Sequence, residues 1–305
     1  MLKGTVRLFS ITIAAVVVVS SVTWLVTRPH PPFAAGDPRL TPGDVERGRL
    51  VFAAGGCASC HASPGQSDRL KLGGDLALAS PYGTFRTPNI SPDRQAGIGS
   101  WSVVDLANAL IAGVSPEGQH YYPVFPYASY TGMTLDDVKD LYAFLHTLEP
   151  VADRPQPHDI NLLFRIRRFV GLWKFLFFYE GQSEGMLNVN PEHHRGAYLV
   201  EVLGHCAECH ASRNVFGAIK PKTRLAGGVS SEGVGFNPNI TPAGIGSWSE
   251  NDIVEMLKSG KTRDHGYVGW SMADVVKNTA ELPEEDRIAI ARYLKSLPPR
   301  PTPHP

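Results

Sequence analysis

Cysteine is scarce in this sequence: four thiols in 305 residues leave nothing over for a disulfide framework once those four are committed elsewhere. Methionine occurs only five times, so few residues could supply a thioether ligand. Neither sign of charge is in excess, with 29 Lys+Arg against 29 Asp+Glu, and nothing in that balance points to nucleic acid. What is present is 43% hydrophobic residues, enough for packed cores, together with 30 Gly and 25 Pro that imply much loop and turn. The length accommodates about two domains and a terminal extension.

All four cysteines fall in two pentapeptides of one form, Cys57-Ala58-Ser59-Cys60-His61 and Cys206-Ala207-Glu208-Cys209-His210. Two C-x-x-C-H sites with no other thiol are the signature of c-type haem attachment. On a helical turn, cysteines three apart share a face, where each sulfur can form a thioether to a porphyrin vinyl group. The following His turns onto the iron side as proximal ligand, which assigns His61 and His210. Zinc would require four ligands close together, and the two pairs are far apart in sequence. A thioredoxin-like pair would follow a strand in a βαβ pattern, which neither site shows. A loop-rich chain suits the haem reading, because the cofactor replaces part of the apolar core.

The N-terminus sets the expected compartment. Leu8 to Thr27 carries no charge, with Lys3 and Arg7 before it and Arg28-Pro29 after it. About 20 apolar residues match a bilayer-spanning helix and exceed the core of a cleaved signal. No A-x-A-like site closes the run, so residues 1–27 read as an uncleaved anchor rather than a removed signal. The positive charges keep the short leading segment cytoplasmic and export the rest, which places both haem sites on the periplasmic side of a bacterial inner membrane. Residues 28–41, rich in Pro and Gly, read as a tether.

An internal repeat follows. Arg47-Gly48 precedes the first motif and Arg195-Gly196 the second; Gly73-Gly74 and Gly227-Gly228 come after them. PNISPDRQAGIGSWS, Pro88 to Ser102, is then matched by PNITPAGIGSWS, Pro238 to Ser249. Each copy ends in an amphipathic helix: one opens at a capping box on Thr134 and carries Val138, Leu141, Leu145 and Leu148, and the other opens at Pro283 and carries Ile288, Ala291 and Leu294. The copies span 42–150 and 191–298, leaving a linker at 151–190 and a tail at 299–305. Within the linker, Ile160 to Tyr179 mixes Arg165, Arg167, Arg168 and Lys174 with aromatics; the charges argue against a second span. It reads either as a helix packed between the domains or as a membrane-surface helix with basic residues toward lipid headgroups.

Each half resembles a class I cytochrome c, which implies an all-α fold of tandem domains after the N-terminal transmembrane helix. In that family the first and last helices cross at a small residue, a pattern matched by Gly48 and Phe52 with Leu141 and Phe144, and by Gly196 and Val200 with Ile290 and Tyr293. More narrowly, the PNI-[ST]-P and GIGSW motifs, YYPVFPYASY and the apolar-basic linker resemble the membrane-bound cytochrome c subunit of periplasmic alcohol, gluconate and related dehydrogenases. Those subunits commonly carry three haem motifs, and this chain has two.

The resemblance places an axial Met in the loop before the last helix, which points to Met272 in the second domain. Met256 sits at an apolar helical position and reads as core. In the first domain Phe125 occupies the corresponding position, and Met133 is the one Met available; His120 or an open site remain alternatives. His265 is a weaker candidate ligand. Trp101 and Trp248 could donate to haem propionates, as a Trp often does in the family, or pack as core aromatics. Asn89 and Asn239 could order the same loop, and Arg47 and Arg195 could reach propionates or lie on an exposed helix face. His30, His158, His193, His194 and His304 read as exposed, and His205 as a spacer.

Two attached haems with both axial positions filled imply electron transfer rather than substrate chemistry. The resemblance implies a periplasmic dehydrogenase as donor, with quinone, an oxidase or another cytochrome as acceptor. A dihaem peroxidase-like enzyme and a cytochrome module of a terminal oxidase are the alternatives.

Overall fold

A computed structural model describes residues 2–180, 186, 189–230 and 235–303, with the side chains of its first helix described from Ser10 on. Met1 and His304 lie outside the described residues. The chain opens with α1 (Leu2–Val26), which ends where the Thr27 hydroxyl donates back to the Thr23 carbonyl at 2.7 Å. Ile11, Val16 to Val19, Trp24 and Leu25 on this helix are exposed. Among the described residues no helix is long and apolar enough to cross a membrane, so the anchor expected over residues 1–27 gains no support from that test.

The first half comprises α2 (Val45–Ala54), α3 (Cys57–His61), β1 (Ala77–Ser80), β2 (Gly83–Arg86), α4 (Val103–Ala112), α5 (Tyr127–Tyr130) and α6 (Leu135–Leu145). Then come β3 (Asp159–Ile160), a 3-10 turn over Leu162–Arg165, and α7 (Arg168–Phe177). The second half has α8 (His194–Ala197), continued by a π-helical segment over Tyr198–Leu203, then β4 (Gly228–Val229), β5 (Phe236–Asn237), α9 (Pro242–Ile245), α10 (Glu250–Ser259), α11 (Trp270–Thr279) and α12 (Glu284–Ser296). Helices form the cores, but the fold departs from all-α in two small antiparallel sheets. One is ordered β1-β2-β3, with Leu78 opposite Phe85 and Thr84 opposite Asp159; the other pairs β4 with β5.

Each half is organised by a helix crossing whose closeness requires glycine. A Cβ on Gly48 would sit 1.9 Å from the Asp140 carbonyl oxygen, and one on Gly196 would sit 2.1 Å from that of Ala289. Phe52 packs on Phe144 beside the first crossing, ring centroids 5.2 Å apart. Val200, Ile290 and Tyr293 are buried beside the second. The arginine that precedes each glycine clamps the same crossing: Arg47 Nε donates to Asp140 Oδ2 at 2.7 Å, and Arg195 Nε to Asp286 Oδ1 at 2.8 Å. The buried side chains of both halves then merge in one apolar core that includes Leu110, Leu141, Leu199, Val202, Ile253 and Leu294.

Local sequence sets the helix ends. The matched GIGSWS stretches close on serines that start helices: Ser102 and Asp105 form a reciprocal capping box at α4, and Ser249 and Asp252 form one at α10. Gly113 and Gly260 end these helices in the left-handed region. The capping box expected at α6 is only half present. The Thr134 hydroxyl accepts from Asp137 N–H, but its own N–H donates to Tyr198 Oη at 3.1 Å, and the Tyr198 hydroxyl donates to Asp137. A residue of the second half thus completes a cap in the first.

The linker helix α7 buries Val170, Gly171 and Lys174. It touches both halves, since Trp173 Nε1 donates to the Phe216 carbonyl and Lys174 Nζ to the carbonyls of Ala112 and Gly113 at the end of α4. Its basic residues do not fan outward as a surface helix would have them. Arg168 and Lys174 turn in to protein carbonyls, while Phe169, Leu172, Phe175 and Leu176 are exposed.

Candidate functional site

Both C-x-x-C-H motifs start at a backbone turn in the left-handed region. Gly56 holds φ 60° ahead of Cys57, and His205 holds φ 36° ahead of Cys206, a conformation that Gly adopts freely and His at some cost. Cys57–His61 then forms a helical turn and Cys206–Glu208 a 3-10 turn. Burial raises the Cys57 and Cys206 thiols to about 12, and no disulfide joins any of the four cysteines.

The histidine that closes each motif is fixed in the same way. A ring nitrogen facing a carbonyl oxygen must carry the proton, so His61 Nδ1 donates to the Pro88 carbonyl at 2.8 Å and His210 Nδ1 to the Pro238 carbonyl at 2.7 Å. Burial lowers both imidazole pKa values, against the smaller opposing effect of those hydrogen bonds. Each ring is therefore neutral with its Nε2 lone pair free to bind a metal. Pro88 and Pro238 open the two PNI stretches, so one function of that repeat is legible only after the fact: its prolines orient the rings of His61 and His210.

The residues fit the group that the motif implies. Each site offers two thiols that no disulfide joins and one oriented imidazole, the donor set for a thioether-linked haem. Among the described residues no three His, Cys, Asp or Glu side chains converge as a metal site.

The other candidates fall variously. Met133 follows α5 and is buried, 7% exposed, within the core. Met272 is half-buried and lies in the first turn of α11, not in a loop as expected. Met256 packs against the core. His120 is committed elsewhere: its Nε2 donates to the Thr27 carbonyl at 2.9 Å, at the end of α1. Trp101 and Trp248 pack against the core, and their backbone carbonyls accept from Tyr142 Oη and Lys295 Nζ. Asn89 and Asn239 are buried and spend their amides on the chain beyond each last helix, donating to the carbonyls of Val151 and Asp153 and of Arg300. Arg47 and Arg195 are engaged by Asp140 and Asp286. His158 is half-buried, with Nδ1 accepting from Arg86 N–H, so it is not the exposed residue expected.

The two motifs are brought together. Tyr130 donates to the Gly55 carbonyl at 3.0 Å, just ahead of the first motif, and its ring lies 5.4 Å from that of His205, just ahead of the second. Asn278 of α11 donates to Ser59 Oγ, inside the first motif, at 2.7 Å. The Cys60 thiol is raised to about 11 by burial first and then by the nearby Cys209 and Asp274. His205 is thus a contact between halves rather than a spacer.

Sequence reasoning missed one buried cluster. Arg224 Nε donates to Glu201 Oε2 at 2.7 Å and Tyr293 Oη to Glu201 Oε1 at 3.0 Å. Its signal was a single carboxylate within the apolar stretch Tyr198–Leu203.

A cytochrome c family model matches residues 45–149. A diheme cytochrome c-type protein of Cereibacter sphaeroides is 51% identical over 90% of this chain and 92% of its own length. The fructose dehydrogenase cytochrome subunit of Gluconobacter japonicus is 37% identical over 83% of this chain and 52% of its own. The gluconate 2-dehydrogenase cytochrome c subunit of Pantoea cypripedii is 34% identical over 87% of this chain and 62% of its own. The chain spans nearly all of the first relative and only about half to three-fifths of the two dehydrogenase subunits.

Proposed function

Because the chain belongs to the cytochrome c family, an electron-transfer family rather than a catalytic one, we propose that it carries two covalently attached haem c groups and relays electrons from a periplasmic dehydrogenase to the respiratory chain. The observation that carries this reading is the matched pair of proximal histidines, each pinned by a proline carbonyl and each closing a motif whose two thiols no disulfide joins. Attached haem supplies a one-electron iron couple. The chain's own part is to fix ring orientation and hold the two attachment sites at a set separation. Tyr130, His205 and Asn278 do the last of these, by closing the gap between the motifs.

Axial ligation by Met133 and Met272 belongs to the same reading. Met133 is buried in the core of the first half, and Met272 begins a helix that packs against the first motif. The dehydrogenase cytochrome subunits among its relatives support a dehydrogenase as donor. Quinone, an oxidase or a further cytochrome would accept.

The proposed location is argued from α1. At 1.5 Å per residue its 25 residues extend about 37 Å, longer than the hydrocarbon core of a bilayer. With the apolar side chains described on it, from Ile11 to Val26, exposed, we read α1 as an inner-membrane anchor and the rest as periplasmic.

The first experiment is affinity purification of the tagged chain from native membranes in mild detergent, with mass identification of what accompanies it and a haem count per polypeptide. Two haems and a flavin, molybdenum or quinone-cofactor dehydrogenase subunit are expected. One haem per chain, or oxidase subunits in place of a dehydrogenase, would overturn the reading.

A further inference from the structure

An open cavity of about 740 Å³, lined by no residue of either cysteine motif, lies between the three-stranded sheet and the chain entering α7. Three arginines contribute to its lining, Arg86 from β2 with Arg165 and Arg167 from the approach to α7, beside Tyr122, His158 and Asp159. Backbone groups hold these guanidinium groups in place without neutralising them. Arg165 Nε donates to the Ile160 carbonyl at 3.1 Å and Arg86 Nη1 to that of Asp75 at 3.1 Å. Arg167 Nη1 donates to the His120 carbonyl at 3.0 Å while its guanidinium stacks 4.3 Å from the Tyr122 ring centroid.

Asp75 stands 3.6 Å from Arg86, but among the described residues neither Arg165 nor Arg167 has a carboxylate within ion-pair distance. Asp159 is the one carboxylate in the lining, against three arginines. A guanidinium has five donors in a rigid fork, and each uses few of them here, so the cavity suits a multidentate oxyanion such as a phosphate.

The lip of the cavity has a second character. Leu162 is 78% exposed, Phe164 37%, Ile166 51% and Phe169 50%, interleaved with Arg165 and Arg167. The exposed apolar strip continues along α7 through Leu172, Phe175, Leu176 and Tyr179. Arg168 fastens α7 to the end of α1, donating to Thr27 Oγ1 at 3.0 Å and to the Trp24 carbonyl, with its guanidinium 4.0 Å from the Trp24 ring centroid. The strip is therefore continuous with the exposed apolar surface of α1. An inorganic anion would account for the arginines and leave the lip unexplained; an amphiphile accounts for both.

We propose that this cavity binds the phosphate of an acidic phospholipid, whose acyl chains lie across Leu162, Phe164, Ile166 and Phe169. The proposal rests on the reading of α1 as membrane-embedded. Bound lipid would hold the linker at the bilayer surface and so fix the height of both haem sites above it.

The test titrates the full-length, haem-loaded protein in neutral detergent with short-chain phosphatidylglycerol, short-chain phosphatidylcholine and inorganic phosphate, read by native mass spectrometry. Phosphatidylglycerol is expected to bind at least about tenfold more tightly than either competitor. Arg165→Gln and Arg86→Gln should each weaken it, and the Arg165→Gln/Arg167→Gln pair should remove the preference, with the visible haem spectrum unchanged. Equal binding of the two lipids, or a preference that survives in the double variant, would overturn the site. Inorganic phosphate binding as tightly as phosphatidylglycerol would overturn the lipid assignment. So would a dehydrogenase polypeptide retained by the wild type and lost from the double variant with lipid binding unaltered. Alkaline washing of native membranes is the separate check on α1: release of the chain with lipid preference intact would overturn the anchor and leave the cavity's assignment standing.

Discussion

Tyr130 and His205 meet edge to face at 79° and 5.4 Å, one from the last turn before the final helix of the first half, the other from the residue that precedes the second cysteine motif. The Tyr130 hydroxyl also donates to the Gly55 carbonyl, two residues before Cys57. One side chain therefore touches the chain just ahead of both attachment sites.

Truncating that ring should be costly. Tyr130 is 6% exposed, so Tyr130→Ala removes a large buried side chain and is expected to cost about 3–5 kcal/mol, visible as a lowered thermal midpoint. Tyr130→Phe loses only the hydrogen bond to Gly55 and should cost about 1 kcal/mol. Because the contact spans both motifs, Tyr130→Ala should shift both reduction potentials in a redox titration; a shift confined to one centre would refute the bridging role.

The arginine clamps predict an asymmetry. Asp140 is buried and accepts from Arg47 Nε, Arg47 Nη2 and the Asp44 N–H, whereas the Arg47 side chain is 67% exposed. Burial alone would raise the Asp140 carboxyl, but those hydrogen bonds prevail and hold its pKa below the usual value. Asp140→Asn should therefore cost about 1–3 kcal/mol at neutral pH, and Arg47→Gln, replacing a largely solvated partner, about 1 kcal/mol or less. A depressed carboxylate stabilises the fold above its unfolded pKa and loses that contribution as pH falls through the folded value. The excess cost of Asp140→Asn should accordingly vanish in denaturant melts at low pH.

Much of this was legible in the chain because the repeat states it twice. The cysteine motifs came from local spacing repeated in both halves, and the Gly48 and Gly196 crossings with their apolar partners came from the resemblance to class I cytochromes c. What stayed hidden depends on where side chains turn. Nothing in the sequence says that Pro88 and Pro238 lend carbonyls to the proximal rings, since a backbone acceptor has no residue code. Arg47 and Arg195 read as propionate partners or exposed helix-face residues and Asn89 and Asn239 as residues that order a loop; the matched positions serve matched helix clamps and loop ties. His205 read as a spacer because its partner, Tyr130, is 75 positions away in sequence (205 − 130).

Loop ties next to the proximal prolines give a prediction about one centre alone. Asn239 Nδ2 donates to the Arg300 carbonyl at 2.8 Å and to Thr302 Oγ1, and its Oδ1 accepts from Thr241 N–H at 2.8 Å. Asn239→Ala leaves these groups without partners in a buried site, a loss of about 1–3 kcal/mol. It also frees the neighbouring Pro238 carbonyl to drift from His210 Nδ1. A weaker hydrogen bond makes the imidazole a poorer donor, so the second centre should become easier to reduce while the first is unmoved. Potentials of Asn239→Ala and Asn89→Ala should shift in complementary fashion, each at its own centre.

His120 supplies a pH dependence outside both attachment sites. It is 4% exposed, its Nε2 donates to Thr27, and its Nδ1 is buried without a partner. Burial, followed by the positive fields of Lys174 and Arg168, outweighs the Thr27 hydrogen bond and lowers its pKa to about 4. The folded chain thus keeps His120 neutral where the unfolded chain takes a proton, from about pH 6.5 downward. Stability should fall as pH drops from about 6.5 to about 4, by something on the order of 2 kcal/mol, and this contribution should flatten below the folded value. His120→Gln retains a donor to the Thr27 carbonyl and cannot titrate. Denaturant melts between pH 4 and 7 should show the wild type losing stability more steeply than His120→Gln; parallel pH profiles for the two proteins would show that His120 titrates alike in the folded and unfolded chain, which would refute its lowered pKa.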